Sequence, residues 1–113
     1  MPTLKIQTNA TRDDSAWDAL LDTASKQVAE LLGKPEGYVM VIAEPTAKMR
    51  FAGTDEPLAY LELKSLGLPE ARTPELSAAL TALVGEHLGV PAARVYIEFS
   101  APARHLFGRA KPC

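Results

Sequence analysis

The sequence predicts an α+β fold in which two βαβ repeats form a four-stranded mixed sheet with both helices on one face. The chain has 113 residues, which suits a single domain, spanning residues 1–113, with one hydrophobic core. The segments LGKP at 32–35 and LGVP at 88–91 each follow a helical pattern and precede an apolar run. This similarity indicates an internal repeat, and a helix that connects two strands of one sheet makes them parallel, with a right-handed connection.

The first repeat begins with a strand and an amphipathic helix. Thr3 to Gln7 alternates apolar and polar residues, as a half-buried strand does. A polar break at residues 8–14 supplies candidate caps for the helix. The apolar stripe of this helix recurs every three or four positions and comprises Trp17, Leu20, Leu21, Ala24, Val28, Leu31 and Leu32. Gly33 is expected to end the helix.

The strand after the first helix has no polar side. Tyr38 to Ala43 is apolar at every position, which is typical of a strand covered on both faces. Two helices on one side cover only one face of the sheet, so the other face is expected to be buried by another copy of the chain. We therefore predict a homo-oligomer with closed cyclic symmetry.

The second repeat follows the same plan after a loop. A short edge strand is predicted at Met49 to Phe51 and a full strand at Leu58 to Leu63. Thr73 is expected to cap the second helix, whose stripe and end are formed by Leu76, Leu80, Leu83, Leu88 and Gly89. Val95 to Phe99 is the last predicted strand, and residues 100–113 are expected to form an irregular tail.

Composition and charge exclude several classes of function. Twelve Lys and Arg against fourteen Asp and Glu leave a net charge of −2, which gives no basic field for nucleic acid. No apolar run approaches the roughly 20 residues of a membrane helix, and no secretory signal precedes the first strand, so a cytoplasmic protein without membrane contact is expected. The single cysteine, Cys113, offers no internal disulfide, and the isolated His87 and His105 suggest no metal site.

Pro2 is the first candidate for chemistry. A small second residue usually permits removal of the initiator methionine, which would leave Pro2 with a free secondary amine. An α-amino group has a pKa of about 7.7–8.0. A nearby cation or loss of solvent lowers that pKa, which leaves a neutral amine able to act as a general base. From the residues alone, a Met-Pro start without catalytic meaning is the commoner interpretation.

Five segments, in order along the chain, resemble the macrophage migration inhibitory factor (MIF) family of the tautomerase superfamily. They are MPTLKIQTN at the start, GKPEGYVMV after the first helix, Met49-x-Phe51-x-Gly53-x-x-Glu56-Pro57, KSLG at 64–67 and RVYI at 94–97. The resemblance implies a trimer with active sites between neighbouring subunits and an amino-terminal proline as the base. It also implies a cofactor-free keto–enol tautomerase acting on phenylpyruvate-like or dopachrome-like compounds.

The resemblance assigns roles to individual residues. Pro2 is similar to the catalytic proline of the family, and Lys34 to its carboxylate-binding lysine; the alternative for Lys34 is an exposed lysine at a helix end. Ser65 and Leu66 fall where family members bring backbone and an apolar wall to the substrate. Tyr96 matches a pocket tyrosine contributed across the subunit interface, and its alternative is an ordinary core or interface aromatic.

Glu98 departs from the family pattern, because the best-known animal members have asparagine there. Strand alternation places Tyr96 and Glu98 on one face, so Glu98 is expected to line the pocket and to oppose anionic substrates. Two other functions stay open: an interaction or signalling protein with vestigial catalysis, and another proline-dependent reaction such as hydration or decarboxylation. The cations Arg104, Arg109 and Lys111 are expected to form a solvated tail.

Overall fold

The computed structural model describes residues 1–110, so the predictions for Lys111 and Cys113 lie outside the described residues. Its main elements are β1 (Thr3–Thr8), α1 (Asp14–Leu32), β2 (Met40–Glu44), β3 (Ala59–Lys64), α2 (Thr73–Leu88) and β4 (Val95–Ser100). The sheet order is β2-β1-β3-β4; β1 and β2 are parallel, β3 and β4 are parallel, and β1 and β3 are antiparallel. The predicted fold of two βαβ repeats in a mixed sheet is confirmed.

Both helices end at the predicted glycines. Gly33 and Gly89 have φ angles of 62° and 68°, in the left-handed region that glycine enters without a steric penalty. At the other end of α1, Asp13 Oδ1 accepts a hydrogen bond of 2.8 Å from the Ala16 N–H. The polar break before the helix therefore supplies the cap that the sequence predicts.

The two repeats also hold each other at their helix ends. Arg12, which precedes α1, donates from Nη2 to the Leu88 carbonyl at the end of α2, at 2.6 Å. Arg72, which precedes α2, donates from Nη1 to the Leu31 carbonyl at the end of α1, also at 2.6 Å. Each guanidinium thus satisfies a carbonyl that the helix itself leaves unpaired.

The hydrophobic core lies between the helices and one face of the sheet. Its largest members are Leu4, Ile6, Leu20, Val28, Leu61, Leu63, Leu76, Leu80, Val84 and Leu88. Alternate residues of β1 and β3 point into this layer. The opposite face of the sheet is open and leaves Met40, Ile42 and Tyr96 exposed. Within residues 1–110, no helix is long and apolar enough to cross a bilayer.

The predicted strand at Tyr38 to Ala43 was wrong at its start. Pro35 leads into a turn of 3-10 helix at Glu36–Tyr38, so Tyr38 lies before β2. Along β2 itself, Met40 and Ile42 are 59% and 39% exposed, whereas Val41 between them packs on the core. The apolar open side that the sequence indicated is therefore present, on a strand that begins two residues later than predicted.

The predicted edge strand at Met49 to Phe51 was wrong. Phe51 makes only an isolated bridge with Thr54. Ala52 and Gly53 have φ angles of 52° and 77°, and two successive left-handed residues turn the chain back on itself. The segment is a tight loop beside the start of β4.

Two smaller predictions in the second repeat also differ from the structure. The Thr73 hydroxyl does not accept a hydrogen bond from the first turn of α2, as a capping residue would. It donates instead to the carbonyl of Glu70, which precedes the helix, at 3.0 Å. The cause is the 3-10 turn at Glu70–Arg72, which leads directly into the helix. The tail is not irregular throughout, because Arg104–Leu106 forms another 3-10 turn.

Candidate active site

Pro2 directly precedes β1, at the amino-terminal end of that strand. Its side chain has the same orientation as Leu4 and Ile6 and is fully buried. Its carbonyl accepts a hydrogen bond of 3.0 Å from the Met40 N–H of β2. With Met1 attached, the Pro2 nitrogen is a tertiary amide without basicity, so its chemistry depends on the Met1–Pro2 bond.

Lys34, Ser65 and Leu66 are brought together beside this strand end. Lys34 follows Gly33, and its Nζ donates to the Leu66 carbonyl at 3.1 Å. Ser65 is fully buried, and its Oγ donates to the same carbonyl at 3.1 Å. Because Thr3 pairs with Lys64 in the antiparallel ladder, residues 65 and 66 continue from β3 at the level of Pro2. The Ser65 hydroxyl therefore supports the loop, whereas Leu66 is a wall residue.

Two cavities flank the amino terminus. One of about 260 Å³ is lined by Met1, Leu66, Arg104, His105, Phe107, Gly108 and Arg109. The other, of about 190 Å³, is lined by Met1, Thr3, Gly37, Tyr38, Met40, Phe107, Gly108 and Arg109. Met1, Phe107, Gly108 and Arg109 line both cavities, so removal of Met1 would enlarge the space next to the Pro2 nitrogen. A larger groove of about 680 Å³ lies near residues 47–50, at the other end of β1, where Arg50 and Asp55 pair with each other at 3.8 Å.

Sequence reasoning missed the contribution of the tail and of Tyr38 to these cavities. Arg109 places its guanidinium 5.0 Å from the centre of the Tyr38 ring. Phe107 lines both cavities. Tyr38 sits in the GKPEGY segment and could have been inferred from its closeness to Lys34. The tail residues carry no local signal, because only the folded chain brings residues 104–109 to the amino terminus.

Tyr96 and Glu98 do not join this site within one chain. Tyr96 pairs with Tyr60 in β3, which pairs with Gln7 near the far end of β1. The Tyr96 ring is 65% exposed and makes an edge contact with Phe51, with centroids 4.9 Å apart. A site that uses both Pro2 and Tyr96 therefore requires two copies of the chain.

Glu98 takes part in a small polar cluster on the open face of the sheet. The Tyr60 hydroxyl lies 3.2 Å from Glu62 Oε1 and 3.3 Å from Glu98 Oε2 and donates to these carboxylates. Partial loss of solvent, and then the hydrogen bonds and negative charges of the two carboxylates, raise the pKa of Tyr60 above its usual range. The phenol is thus held neutral as a donor, and Glu98 has a partner in its own chain.

Metal ligation has no evident place in this arrangement. Across residues 1–110, no three or more His, Asp or Glu side chains are grouped so that they could hold an ion. The described lining of the two cavities is apolar with guanidinium, imidazole, hydroxyl and phenol groups, and the Lys34 ammonium lies at the Leu66 carbonyl. Such a set suits the binding of an anion and the transfer of a proton.

The chain has two βαβ repeats, and Pro2, at the start of the first strand, lies at the level of the loop to which Lys34 is hydrogen-bonded. This is the α+β fold of the tautomerase proteins. A family model for macrophage migration inhibitory factor (MIF) matches residues 1–105. The chain belongs to the MIF family, which includes members with tautomerase activity.

Individual relatives agree with this family assignment. A macrophage migration inhibitory factor homolog of Trichuris trichiura is 38% identical over 100 residues, covering 88% of this chain and 87% of the relative. The crystal structure of a homologue from Prochlorococcus marinus is 39% identical, with a TM-score of 0.89 over 95% of this chain and 94% of that one. The corresponding protein of Toxoplasma gondii is 34% identical, with a TM-score of 0.89 over 96% of both chains.

Proposed function

We propose that this protein is a cofactor-free keto–enol tautomerase, acting on enol or keto carboxylates such as phenylpyruvate or dopachrome-like compounds. The observation that carries the proposal is the position of Pro2 at a strand end, directly bonded to Met1, which lines two cavities. Removal of Met1 would convert the Pro2 amide into a secondary amine beside these cavities. Family membership supports this reading, since the MIF family includes tautomerases.

The proposed reaction needs one base and no electron transfer. The neutral Pro2 amine takes the proton from the carbon next to the keto group and, once protonated, returns it to the carbonyl oxygen as the enol forms; the reverse direction uses the same groups. Substrate and product are isomers, so no oxidant or reductant is consumed. A positioned base of this kind contributes about 10²–10⁴-fold to a rate.

Lys34 is proposed to hold the substrate carboxylate. Its ammonium lies at the Leu66 carbonyl, 3.1 Å away, and is only partly buried, so it can exchange this neutral acceptor for an anion. A cation in this position also disfavours protonation of the Pro2 amine and lowers its pKa. Ser65 and Leu66 shape the wall beside it.

The working unit is proposed to be a cyclic homotrimer. Large exposed apolar side chains lie at both edges of the sheet: Tyr38, Met40 and Ile42 on the β2 side, and Tyr96 on the β4 side. A contact of the β4 side of one copy with the β2 side of the next is heterologous and closes into a ring. Such a contact would place a neighbour's Tyr96, and with it Glu98, near Tyr38 and the Pro2 end.

The test is a phenylpyruvate enol-to-keto assay on protein whose amino terminus has been verified by mass. Pro2→Gly is expected to lower kcat/KM by about a hundredfold or more, because it removes a positioned base. Protein that retains Met1 should be equally impaired. Pro45→Ala, at an exposed loop beyond β2, is the matched control and should leave activity unchanged. Equal activity of the wild type and Pro2→Gly would overturn the mechanism.

The same assay separates the alternatives. Wild-type protein with free Pro2 and no tautomerase activity would favour the interaction or signalling role. Turnover of halogenated acrylates or of malonate semialdehyde, in place of phenylpyruvate, would favour a proline-dependent hydration or decarboxylation.

A further inference from the structure

A tyrosine on the open face of the sheet lies between two carboxylates. Tyr60 is half-buried in β3, and its hydroxyl lies 3.2 Å from Glu62 Oε1 and 3.3 Å from Glu98 Oε2. Glu62 and Glu98 are direct partners in the register of β3 with β4, an arrangement in which two like charges repel each other. The single O–H of the phenol, which these carboxylates share, offsets part of that repulsion.

The cation opposite this pair of carboxylates faces the other way. Lys5 is the partner of Glu62 in the register of β1 with β3, but its Nζ lies 3.6 Å from Glu44 Oε1 on β2. Gln7 Nε2 also donates to Glu44, at 2.8 Å. The polar side chains of β1 thus serve β2, whereas the Tyr60 hydroxyl is the donor that reaches β4.

The hydrogen bond from Tyr60 sets the direction of the Glu98 side chain. β4 is the last strand in the order β2-β1-β3-β4, so a side chain on its open face turns either towards β3 or towards the free edge. Glu98 is turned towards β3, whereas Tyr96, on the same face, contacts Phe51. In the proposed trimer, Tyr96 and Glu98 approach the Pro2 end of the next copy. The hydrogen bond therefore decides how far the Glu98 charge reaches into that site.

We propose that Tyr60 is a positioning residue of the shared site, which holds the Glu98 carboxylate over β3 and away from the substrate carboxylate in the next copy. The proposal rests on the proposed function and its trimer, because it assigns a residue that tunes the same Pro2 site. Lys34 would attract the substrate carboxylate, and a released Glu98 would repel it. Tyr60 thereby favours anionic over neutral substrates.

The phenol suits this role because it stays protonated. Partial loss of solvent, and then the two carboxylates, raise the pKa of Tyr60. The hydroxyl is therefore a neutral donor to Glu98 throughout the pH range in which a tautomerase would be assayed.

The experiment compares an anionic substrate with its neutral ester. Phenylpyruvate and its methyl ester are assayed with wild-type protein of verified amino terminus and with Tyr60→Phe, which loses only the hydroxyl. The acid-to-ester ratio of kcat/KM is expected to fall by about two- to fivefold in Tyr60→Phe, the scale of an interaction between exposed charges. High salt should shrink this effect. An equal loss on acid and ester would indicate a structural role and contradict the proposal.

A double-mutant cycle with Glu98→Gln is the matched control. Glutamine keeps the shape of the side chain without its charge, so Tyr60→Phe should leave the ratio unchanged in this background. Tyr60→Leu also lacks the hydroxyl and should give the same ratio as Tyr60→Phe. Sedimentation verifies that each variant keeps the mass of the wild type. A fall of the same size in both backgrounds would show that Tyr60 does not act through Glu98.

A binding measurement distinguishes failure of this inference from failure of the proposed function. Calorimetry with cinnamate and cinnamamide, which do not tautomerise, reports the charge preference without turnover. If wild-type protein is inactive, but Tyr60→Phe weakens cinnamate relative to cinnamamide and Glu98→Gln abolishes that difference, the tautomerase proposal fails and the role of Tyr60 stands. If wild-type protein is active and Tyr60→Phe keeps both wild-type preferences, the role of Tyr60 is overturned and the tautomerase proposal stands. Wild-type protein that neither converts phenylpyruvate nor binds cinnamate would overturn both.

Discussion

At the residue scale, the chemistry depends on a single peptide bond. While Met1 is attached, the Pro2 nitrogen is an amide and carries no basicity. Once Met1 is removed, the nitrogen is a secondary amine, and an α-amino group has a pKa of about 7.7–8.0. The cavities that Met1 lines leave room for a substrate in its place. Under the proposed mechanism, processing of the amino terminus therefore decides whether the chain is active.

Lys34→Ala is expected to act mainly on KM. In the proposed mechanism the ammonium binds the same carboxylate in the ground state and the transition state, so its loss weakens binding. At a pH well above the Pro2 pKa the amine is neutral with or without Lys34, and the chemical step is then unchanged. We expect the KM for phenylpyruvate to rise by about tenfold, the scale of a hydrogen bond to a charged group. The methyl ester should be unaffected. Lys48→Ala, an exposed lysine at the other end of the sheet, is the control, and an equal loss on the ester would contradict the role.

Glu98→Asn is expected to raise kcat/KM for phenylpyruvate, because it removes a negative charge from the face that Tyr96 shares. It should also lower the pKa of Tyr60, since one of the two carboxylates that raise it is lost; burial and Glu62 would keep that pKa above its usual range. Phenolate absorbance against pH measures the second effect.

Glu62→Gln is the matched control for Glu98→Asn. It removes the other carboxylate at the Tyr60 hydroxyl, so it should lower the pKa of Tyr60 without raising the activity. A tenfold or greater loss of activity in Glu98→Asn would instead make Glu98 an orienting or catalytic group and favour another proline-dependent reaction.

The sequence predicts the local part of the candidate site and misses the part that depends on tertiary folding. Lys34 and Leu66 are joined by a hydrogen bond in the structure, and each lies in a segment that resembles the MIF family. Arg104 and Arg109 were predicted to be solvated, and both are exposed, but nothing near them in sequence indicates that residues 104–109 also line a cavity beside Met1. Charge and periodicity report on neighbours along the chain and carry no information on such a contact.

At the element scale, one arginine makes four hydrogen bonds to the loop at residues 51–57, to which Asn9 Nδ2 also donates at the Asp55 carbonyl, at 2.8 Å. Arg94, just before β4, donates to the carbonyls of Phe51, Thr54, Glu56 and Pro57 at 3.0–3.3 Å. Its guanidinium also lies 5.2 Å from the centre of the Phe51 ring. The two segments that resemble the MIF family at residues 49–57 and 94–97 are therefore in direct contact, through the hydrogen bonds of Arg94. We call this set of hydrogen bonds the Arg94 clamp.

Arg94→Lys is expected to destabilise the loop and, through Phe51, the Tyr96 ring that contacts it. Lysine keeps the charge but cannot present a planar set of donors to four carbonyls. We expect the free energy of unfolding to fall by about 1–3 kcal/mol, the cost of leaving polar groups without partners. Urea unfolding measures this, with Arg50→Lys, which alters only an exposed ion pair, as the control. Unchanged stability in Arg94→Lys would show that the clamp contributes nothing to the fold.

The elements themselves follow from sequence wherever one strong local signal decides. The apolar stripe predicts α1, Gly33 ends it as predicted, and Asp13, in the polar break before it, is its cap. Predictions failed where two signals compete over a few residues. The alternation at Met49 to Phe51 favours a strand, but the turn at Ala52 and Gly53 and the Arg94 clamp produce a loop.

At the scale of the whole molecule, the open face of the sheet has polar side chains at its centre and large apolar side chains at its edges. Its centre carries paired polar groups: Lys5 Nζ lies 3.6 Å from Glu44 Oε1, and Gln7 Nε2 donates to Glu44 Oε2 at 2.8 Å. Large apolar side chains lie towards its edges, with Met40 on β2 and Tyr96 on β4. The apolar side chains of this face are therefore concentrated at its edges, and we expect a partner to cover those edges.

Met40→Glu is expected to convert the oligomer into monomers. The side chain is 59% exposed on the β2 edge, so a charge there leaves the folded chain intact but would be buried without a partner in the assembly. Sedimentation of the wild type at micromolar concentration should give three times the 12.1 kDa chain mass, and the variant should approach the single mass. Ala19→Glu, on the exposed side of α1, adds the same charge away from both edges and should leave the mass unchanged.

Mass is the deciding measurement, because Met40 also lines the smaller cavity. A wild-type protein that sediments as a monomer would contradict the shared site, because Tyr96 reaches the Pro2 end only from another copy.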